Sequence, residues 1–228
     1  MDPRCGCDNC ELKTAFFESF RKEELGIFCD QKVEVPYKRG DIVFSEGDEI
    51  RYFAYLKSGL VKLFRTDPDG KDQIITIAGP FDFVSLLGVF SETHQTYSVS
   101  VLEDAVICCI EIEQMKAIAL KNGFFTLNLM EKLGSISNKI ILEALEIRKR
   151  HTHGKVAYIL LKFSQSIYQS LVFDLPVSRR EIAEYIGMTT ENVIRALSEF
   201  RKEKLLRING REIEILDLEA LERISNYG

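Results

Sequence analysis

The hydrophobic periodicity of the chain changes near Ile112, and this change constrains the fold more than any other feature. Before it, short runs rich in Val, Ile, Phe and Tyr are separated by Gly, Pro and Asp turns, as in residues 33–37, 52–66 and 73–79. After it, apolar residues recur every three or four positions, as they do in helices. The pattern predicts an α+β chain in which a jelly-roll-like β-roll precedes a helical region.

The longest helical pattern runs from Phe124 to about Arg150 and carries an apolar seam. The seam residues recur at a/d-like spacing and are Leu129, Leu133, Ile136, Ile140 and Ile147. Such a seam predicts a coiled-coil interface between two copies of the chain. The alternative is a helix that packs on its own domain.

Residues 177–197 have the pattern of a helix-turn-helix. Ser178 and Glu181 occupy capping-box positions, Gly187 allows a left-handed turn, and Thr189 can cap a second helix. The outward face of that second helix carries four candidate base-reading residues, Thr190, Glu191, Ile194 and Arg195. An Arg side chain matches guanine O6 and N7, and a Glu carboxylate accepts from the cytosine amino group. Because Glu191 and Arg195 are four residues apart on a helix, their side chains share a face and can orient one another.

A second set of side chains around this motif is predicted to contact DNA phosphates. Residues 205–215 alternate around Asn209-Gly210, which predicts a hairpin wing after the two helices. The candidate phosphate contacts are Ser178, Arg179, Thr189, Arg201, Lys202, Arg207 and Arg211. Contacts of this kind add affinity but carry little sequence information.

The charge distribution favours double-stranded DNA as the partner of this region. Residues 148–211 contain 13 Lys and Arg against 6 Asp and Glu, a net charge of +7, although the whole chain carries −5. A basic module on an acidic body is typical of a protein that binds nucleic acid through one domain. The competing hypothesis is a small-molecule or metal sensor whose C-terminal module contacts protein.

Other function classes find no support in the sequence. We identify no nucleophile–base pair, HExxH motif or Gly-rich phosphate loop, so we do not expect an enzyme. No apolar run reaches the roughly 18 residues of a membrane span, and the first residues lack the apolar core of a secretory signal. We therefore expect a cytoplasmic protein with no membrane partner.

These patterns divide the chain into four predicted segments. Residues 1–31 form a cysteine-containing segment with a short helix, and residues 32–122 form the β-roll sensor domain. Residues 123–152 form the dimerisation helix, and residues 153–228 form the winged helix-turn-helix domain, with a hinge at 151–154.

Taken together, these segments resemble the Crp/Fnr superfamily of bacterial transcriptional regulators. Gly187–Leu197 is similar to the recognition-helix signature of that superfamily, with Glu191 and Arg195 at its base-reading positions. Segments similar to its sensor domain are Gly40–Phe44, Gly47-Asp48, Leu56–Gly59, Asp69–Gln73 and Phe83–Phe90. The resemblance implies a cyclic-nucleotide-binding-like β-roll and a homodimer on a near-palindromic site. It also suggests a contact with RNA polymerase through the loop Asp67–Gln73, for which a plain exposed hairpin is the alternative interpretation.

The same resemblance implies an effector pocket formed by Ser85, Leu86, Leu87, Thr96 and Tyr97. Members that bind cyclic AMP carry a Glu and an Arg where this chain has Leu86 and Thr96. Losing the charge-assisted hydrogen bond to the phosphate would cost about 1.5–3 kcal/mol. The sequence therefore argues against cyclic AMP and leaves the effector unknown.

The cysteines raise a further hypothesis about the signal. Oxygen-sensing members of the superfamily bind an iron–sulfur cluster, and Cys5, Cys7, Cys10 and Cys108 are the candidate ligands here, with Cys29 or Cys109 as substitutes. Four thiolates would also suit zinc. The Cys-x-Cys-x-x-Cys spacing is tighter than in those members, so a thiol redox switch and no metal role at all stay open. The three histidines, at 94, 151 and 153, are interpreted as surface residues.

Overall fold

Alternating apolar residues in the first half of the chain form an antiparallel sheet. The computed structural model describes residues 32–84 and 89–227. The strands are β1 (Val33–Tyr37), β2 (Ile42–Phe44), β3 (Tyr52–Thr66), β4 (Asp72–Ala78) and β5 (Ser98–Glu111). They are ordered β1-β5-β3-β4, and β2 also pairs with β5.

The pairing of β3 with β5 is interrupted where the two backbones approach closely. The register shifts between Leu56 and Val61, which marks an irregularity of the β-bulge type. Gly59 lies in this stretch with φ +91°, and a Cβ atom there would stand 2.4 Å from the carbonyl oxygen of Asp104. Only glycine fits this position without backbone movement.

Two helices follow the sheet, α1 (Ile112–Lys121) and α2 (Gly123–Arg148). The described residues divide into two compact units, and the division falls within α2, between Ile140 and Ile141. One unit contains the residues up to Arg65 together with Thr76–Ile140, and the other contains Thr66–Ile75 together with the remainder of the chain.

The apolar seam of α2 is covered in part by the chain itself. Leu129 and Ile136 are buried in the same core cluster as the β-sheet residues, and Leu133 and Ile140 pack against that cluster. Ile147 is also buried. These contacts favour the alternative of a helix that packs on its own domain, because periodicity alone does not say which surface covers an apolar stripe. The seam as a dimer interface stays a prediction.

The second unit contains the remaining helices and a small sheet. Its elements are α3 (Thr152–Leu161), a π-helical segment Lys162–Tyr168, β6 (Val172–Asp174), α4 (Arg179–Ile186), α5 (Thr190–Lys202), β7 (Leu206–Asn209), β8 (Glu212–Ile215) and α6 (Leu218–Tyr227). The sheet is ordered β6-β8-β7.

The predicted hinge at 151–154 is shorter in the structure. His151 has an extended backbone and precedes α3, so residues 152–154 already belong to the helix. The N–H of Lys155 donates to the carbonyl of His151 at 2.9 Å, which closes the first turn. Helical hydrogen bonding thus overrides the weak propensities of Thr152 and Gly154.

A buried ion pair fixes the last turns of α2 within the second unit. The Lys162 ammonium donates to the Glu143 carboxylate and, at 2.6 Å, to the Tyr185 hydroxyl of α4. The Glu143 side chain is buried and the Lys162 side chain nearly so, with 7% and 11% of their surface exposed. Glu143 interrupts the apolar seam in the sequence, and its pairing with Lys162 accounts for a charged residue at this buried position.

Removing one member of this pair should destabilise the second unit. In Lys162→Ala the Glu143 carboxylate stays buried without its cation, which should lower the free energy of unfolding by about 3 kcal/mol. Urea denaturation followed by circular dichroism measures the change.

The matched control is Lys116→Ala, which removes an exposed i, i+3 partner of Glu113 and should change stability little. The double variant Glu143→Leu with Lys162→Met should recover most of the loss. Equal stability of Lys162→Ala and the parent protein would contradict this account.

Candidate nucleic-acid interface

A complete capping box begins α4, the first helix of the predicted helix-turn-helix. The N–H of Glu181 donates to Ser178 Oγ at 3.1 Å, and the N–H of Ser178 donates to Glu181 Oε2 at 2.8 Å. Two N–H groups that the helix leaves unpaired are thereby satisfied. The predicted start of the helix is confirmed.

The turn between α4 and α5 depends on Gly187. Gly187 adopts the left-handed conformation with φ +65°, and the N–H of Met188 donates to the carbonyl of Ala183 at 2.9 Å. Thr189 then caps α5, since its hydroxyl oxygen accepts from the N–H of Asn192 at 3.3 Å. A glycine at this position carries no Cβ penalty, as the sequence pattern predicted.

Apolar packing decides which face of α5 is free. Val193, Ala196, Leu197 and Phe200 are buried, and Ile182 and Ile186 of α4 are buried as well. The opposite face of α5 presents Glu191, Ile194 and Arg195 to solvent, while Thr190 is half-buried. The structure therefore brings the four predicted base-reading residues onto one side of one helix, with Ile194 52% exposed.

The side chains on this face are held by different partners from those the sequence suggested. Arg195 Nη2 donates to Asn192 Oδ1 at 3.0 Å. The Glu191 carboxylate accepts from its own backbone N–H and from the Thr189 hydroxyl, and these bonds lower the pKa of Glu191. Among the described contacts, Arg195 is thus oriented by Asn192, a residue that the sequence analysis did not single out.

Three of the predicted phosphate contacts hold the wing in place. Arg179 Nη2 donates to the carbonyl of Gly210 at 3.2 Å, Arg211 Nη2 donates to the carbonyl of Pro176 at 3.2 Å, and Arg207 pairs with Glu214. Burial lowers the pKa of the Arg179 guanidinium, which is half-buried beside the wing. Arg201 and Lys202 are exposed at the end of α5.

The wing is the predicted hairpin, extended by a strand that the sequence did not reveal. β7 pairs with β8 around Gly210, whose φ is +62°. β6 pairs with the other edge of β8, and Phe173 opposes Ile213 there. Three residues are too few to show an alternating pattern, so β6 escaped sequence analysis.

The predicted effector-pocket residues are placed only in part. Thr96 is exposed, whereas Tyr97 is fully buried and donates its hydroxyl proton to the carbonyl of Val84 at 2.9 Å. Tyr97 therefore belongs to the core of the β-domain. Ser85, Leu86 and Leu87 lie outside the described residues.

Among the candidate metal ligands, Cys108 lies in the described part of the chain. Its side chain is fully buried in the core of the β-domain, and its thiol donates to Glu34 Oε1 at 3.7 Å. Burial and the Glu34 carboxylate raise the pKa of the Cys108 thiol to about 12. Cys5, Cys7, Cys10 and Cys29 lie outside the described residues.

The surroundings of Cys108 would oppose metal binding in the conformation that the structure shows. A thiol loses its proton when it coordinates a metal, so Cys108 would have to give up its contact with Glu34 and become accessible from the core of the β-domain. Burial also raises the pKa of the half-buried Cys109 thiol, to about 11. Within residues 32–84 and 89–227, no three His, Cys, Asp or Glu side chains are grouped as a metal site would need.

The loop Asp67–Gln73 forms a tight turn between β3 and β4. Asp67 Oδ1 accepts from the N–H groups of Asp69 and Lys71, both at 2.9 Å. Gly70 supplies the left-handed residue of the turn.

No helix in the described part of the chain is long and apolar enough to cross a lipid bilayer.

Comparison with known proteins agrees with this architecture. The model of the cyclic nucleotide-binding domain matches residues 34–122, and the model of the Crp-like helix-turn-helix domain matches residues 154–224. A structure of FixK2 from Bradyrhizobium japonicum superposes with a TM-score of 0.74 at 22% identity, covering 85% of this chain and 96% of that chain. The predicted fold class is confirmed.

Two relatives extend the similarity along the sequence. Transcriptional activator protein Anr of Pseudomonas protegens is 28% identical over 186 residues, which cover 80% of this chain and 76% of the relative. Transcriptional regulatory protein btr of Bordetella pertussis is 29% identical over 202 residues, which cover 85% of this chain and 81% of the relative.

Proposed function

We propose, because this chain belongs to the Crp/Fnr superfamily of transcriptional regulators, that it binds near-palindromic DNA as a homodimer and reads each half-site with α5. The observation that carries the proposal is the exposed face of α5, which presents Glu191, Ile194 and Arg195. The opposite face of the same helix is buried in the core, which fixes the orientation of the exposed face. A helix presented in this way fits the major groove.

Each residue of this face suits a different base edge. Arg195 can donate two parallel hydrogen bonds to guanine O6 and N7, and Glu191 can accept from a cytosine amino group. Ile194 has no hydrogen-bonding atoms in its side chain and is half exposed, so it suits the methyl group of thymine. The half-site should therefore contain a G·C pair next to a thymine.

Affinity would come from the basic surface around α5. Residues 148–211 carry a net charge of +7, and Arg201 and Lys202 are exposed at one end of the recognition helix. Ser178 and Thr189, at the starts of α4 and α5, can offer hydroxyl groups to the backbone. Arg179, Arg207 and Arg211 would act mainly by holding the wing against the helices.

The dimer face would be the exposed side of α2 rather than its buried seam. Phe124, Leu127, Glu131, Gly134, Asn138, Ile141, Leu145 and Arg148 recur at alternating intervals of three and four residues, which is a heptad pattern. Leu127, Ile141 and Leu145 are 60%, 57% and 54% exposed. The four apolar members of this repeat lie near its two ends, two in each of the first and last turns of the pattern, and such exposed side chains on a 26-residue helix suit a second copy of the same helix.

Asn138 would set the register of that coiled coil. It is exposed in the middle of the pattern, at an a-type position between Gly134 and Ile141. In a parallel pair, the two Asn138 amides would face each other and bond to one another, whereas a shifted pairing would bury them against apolar groups. A parallel pair also gives two recognition helices related by a two-fold axis.

The signal would act by shifting a two-state dimer. A change in the β-domain that favours one arrangement of α2 by about 1–3 kcal/mol would alter the spacing of the recognition helices enough to switch DNA binding. We infer that cyclic AMP is not this signal, since an exposed threonine, Thr96, stands where the phosphate-binding Arg would be. The turn Asp67–Gln73 remains the proposed contact with RNA polymerase.

Arg195→Ala tests base reading. It should weaken binding to a site selected from random DNA by about 1–3 kcal/mol and hardly affect unrelated DNA, because the lost bonds are specific to guanine. Fluorescence anisotropy at fixed salt measures both affinities. Lys202→Ala is the control and should weaken both DNAs by similar factors while reducing the salt dependence. Equal losses in Arg195→Ala on the two DNAs would refute base reading.

Ile141→Glu tests the dimer face. Two glutamates would face each other across the proposed interface, so the variant should sediment as a monomer at concentrations where the parent protein is a dimer. Leu120→Glu is the matched control, because Leu120 is 89% exposed but lies on α1. A dimeric Ile141→Glu, or equal dissociation of the control, would place the interface elsewhere.

Cys108→Ala tests whether this thiol binds metal. Both proteins are purified without oxygen, and iron, sulfide and zinc are measured beside the visible absorption spectrum. We expect the same metal content in the two, because the Cys108 thiol is enclosed in the core and bonded to Glu34. Metal that is present in the parent protein and lost from a folded variant would make Cys108 a ligand.

A further inference from the structure

Asn192 occupies a position on α5 from which it contacts both the start of the helix and its DNA-facing side. It lies at the third helical residue, and its N–H is bonded to the capping hydroxyl of Thr189. Asn192 is half-buried. From there, Oδ1 accepts from Arg195 Nη2 at 3.0 Å, one turn further along the helix.

The residue that the sequence would assign to orient Arg195 does not contact it in the structure. Glu191 is four residues before Arg195, the favourable spacing for a helical ion pair. No ion pair joins Glu191 to Arg195 among the described residues, where Arg195 instead donates to Asn192. Hydrogen bonding to its own backbone N–H and to the Thr189 hydroxyl lowers the pKa of Glu191. The side-chain acceptor that the structure shows for Arg195 is therefore the neutral amide of Asn192.

We propose that Asn192 is a positioning residue that holds Arg195 for guanine recognition. The inference rests on the proposed function, in which Arg195 reads a G·C pair. A guanidinium has five N–H donors, and a bidentate contact with guanine uses two of them. Asn192 occupies a donor on Nη2, which leaves Nη1 and the remaining Nη2 donor for O6 and N7.

Holding Arg195 with an amide also preserves its charge. A carboxylate partner would neutralise the guanidinium near the DNA phosphates, whereas the Asn amide orients it and leaves the full positive charge. Ordering the Arg195 side chain before binding reduces the conformational entropy that it loses when it binds DNA. That loss costs about 0.5–1.5 kcal/mol for a long side chain. At 25 °C this corresponds to roughly a 2- to 10-fold gain in affinity for the guanine-containing site.

A double-mutant cycle tests this role. Asn192→Ala, Arg195→Ala and the double variant are titrated by fluorescence anisotropy with the selected DNA and with the same DNA in which the guanine of each half-site is replaced. Asn192→Ala should reduce discrimination between the two DNAs roughly 2- to 10-fold. In the Arg195→Ala background, Asn192→Ala should have no further effect on discrimination, because its action passes through Arg195.

A second variant keeps the test informative if Asn192→Ala is poorly folded. Asn192→Asp retains an oxygen in the same place, so it should keep the discrimination between the two DNAs. Its added negative charge should weaken binding to both DNAs by a similar factor. Thermal melting of each variant, compared with the parent protein, separates loss of fold from loss of orientation.

The outcomes separate the inference from the proposed function. Full discrimination in Arg195→Ala would overturn guanine reading itself. Loss of discrimination in Arg195→Ala but not in Asn192→Ala would overturn the positioning role alone. An equal loss from Asn192→Ala in both backgrounds would show that Asn192 contacts a base directly, which would also overturn the positioning role.

Discussion

The packing of α5 against its neighbours is the constraint on which the proposed DNA interface depends. Val193, Leu197 and Phe200 lie on one stripe of α5 and are buried, so the helix cannot rotate without exposing them. Each such side chain contributes about 1.5–3 kcal/mol when buried. The exposed stripe with Ile194 and Arg195 is therefore fixed by the core. The turn at Gly187 and the cap at Thr189 then set where α5 begins.

A similar division of faces organises α2. One stripe of this helix is buried in the β-domain, the residues near its end are bonded within the second unit, and a third stripe stays exposed at heptad spacing. A single helix of 26 residues thus carries contacts within the β-domain, contacts within the second unit and, as proposed, contacts with a second copy.

Sequence patterns predicted those features whose causes are local. The capping box at Ser178, the turn at Gly187 and the wing around Asn209-Gly210 depend on residues within a few positions of one another, and all three are present. The burial of Leu129 and Ile136 in the core of their own chain could not be predicted, because spacing does not distinguish a self-contact from a partner contact. The Arg195–Asn192 bond depends on side-chain conformations, which the spacing of charged residues does not determine.

The most direct test of sequence-specific recognition by a dimer is methylation interference on DNA selected from a random pool by the parent protein. Methylation of guanine N7 blocks the acceptor that Arg195 would use. We predict interference at one or more guanines in each of two half-sites, with the half-sites about one helical turn apart. A selected site with interference in a single half-site, or with none at any guanine, would contradict the account.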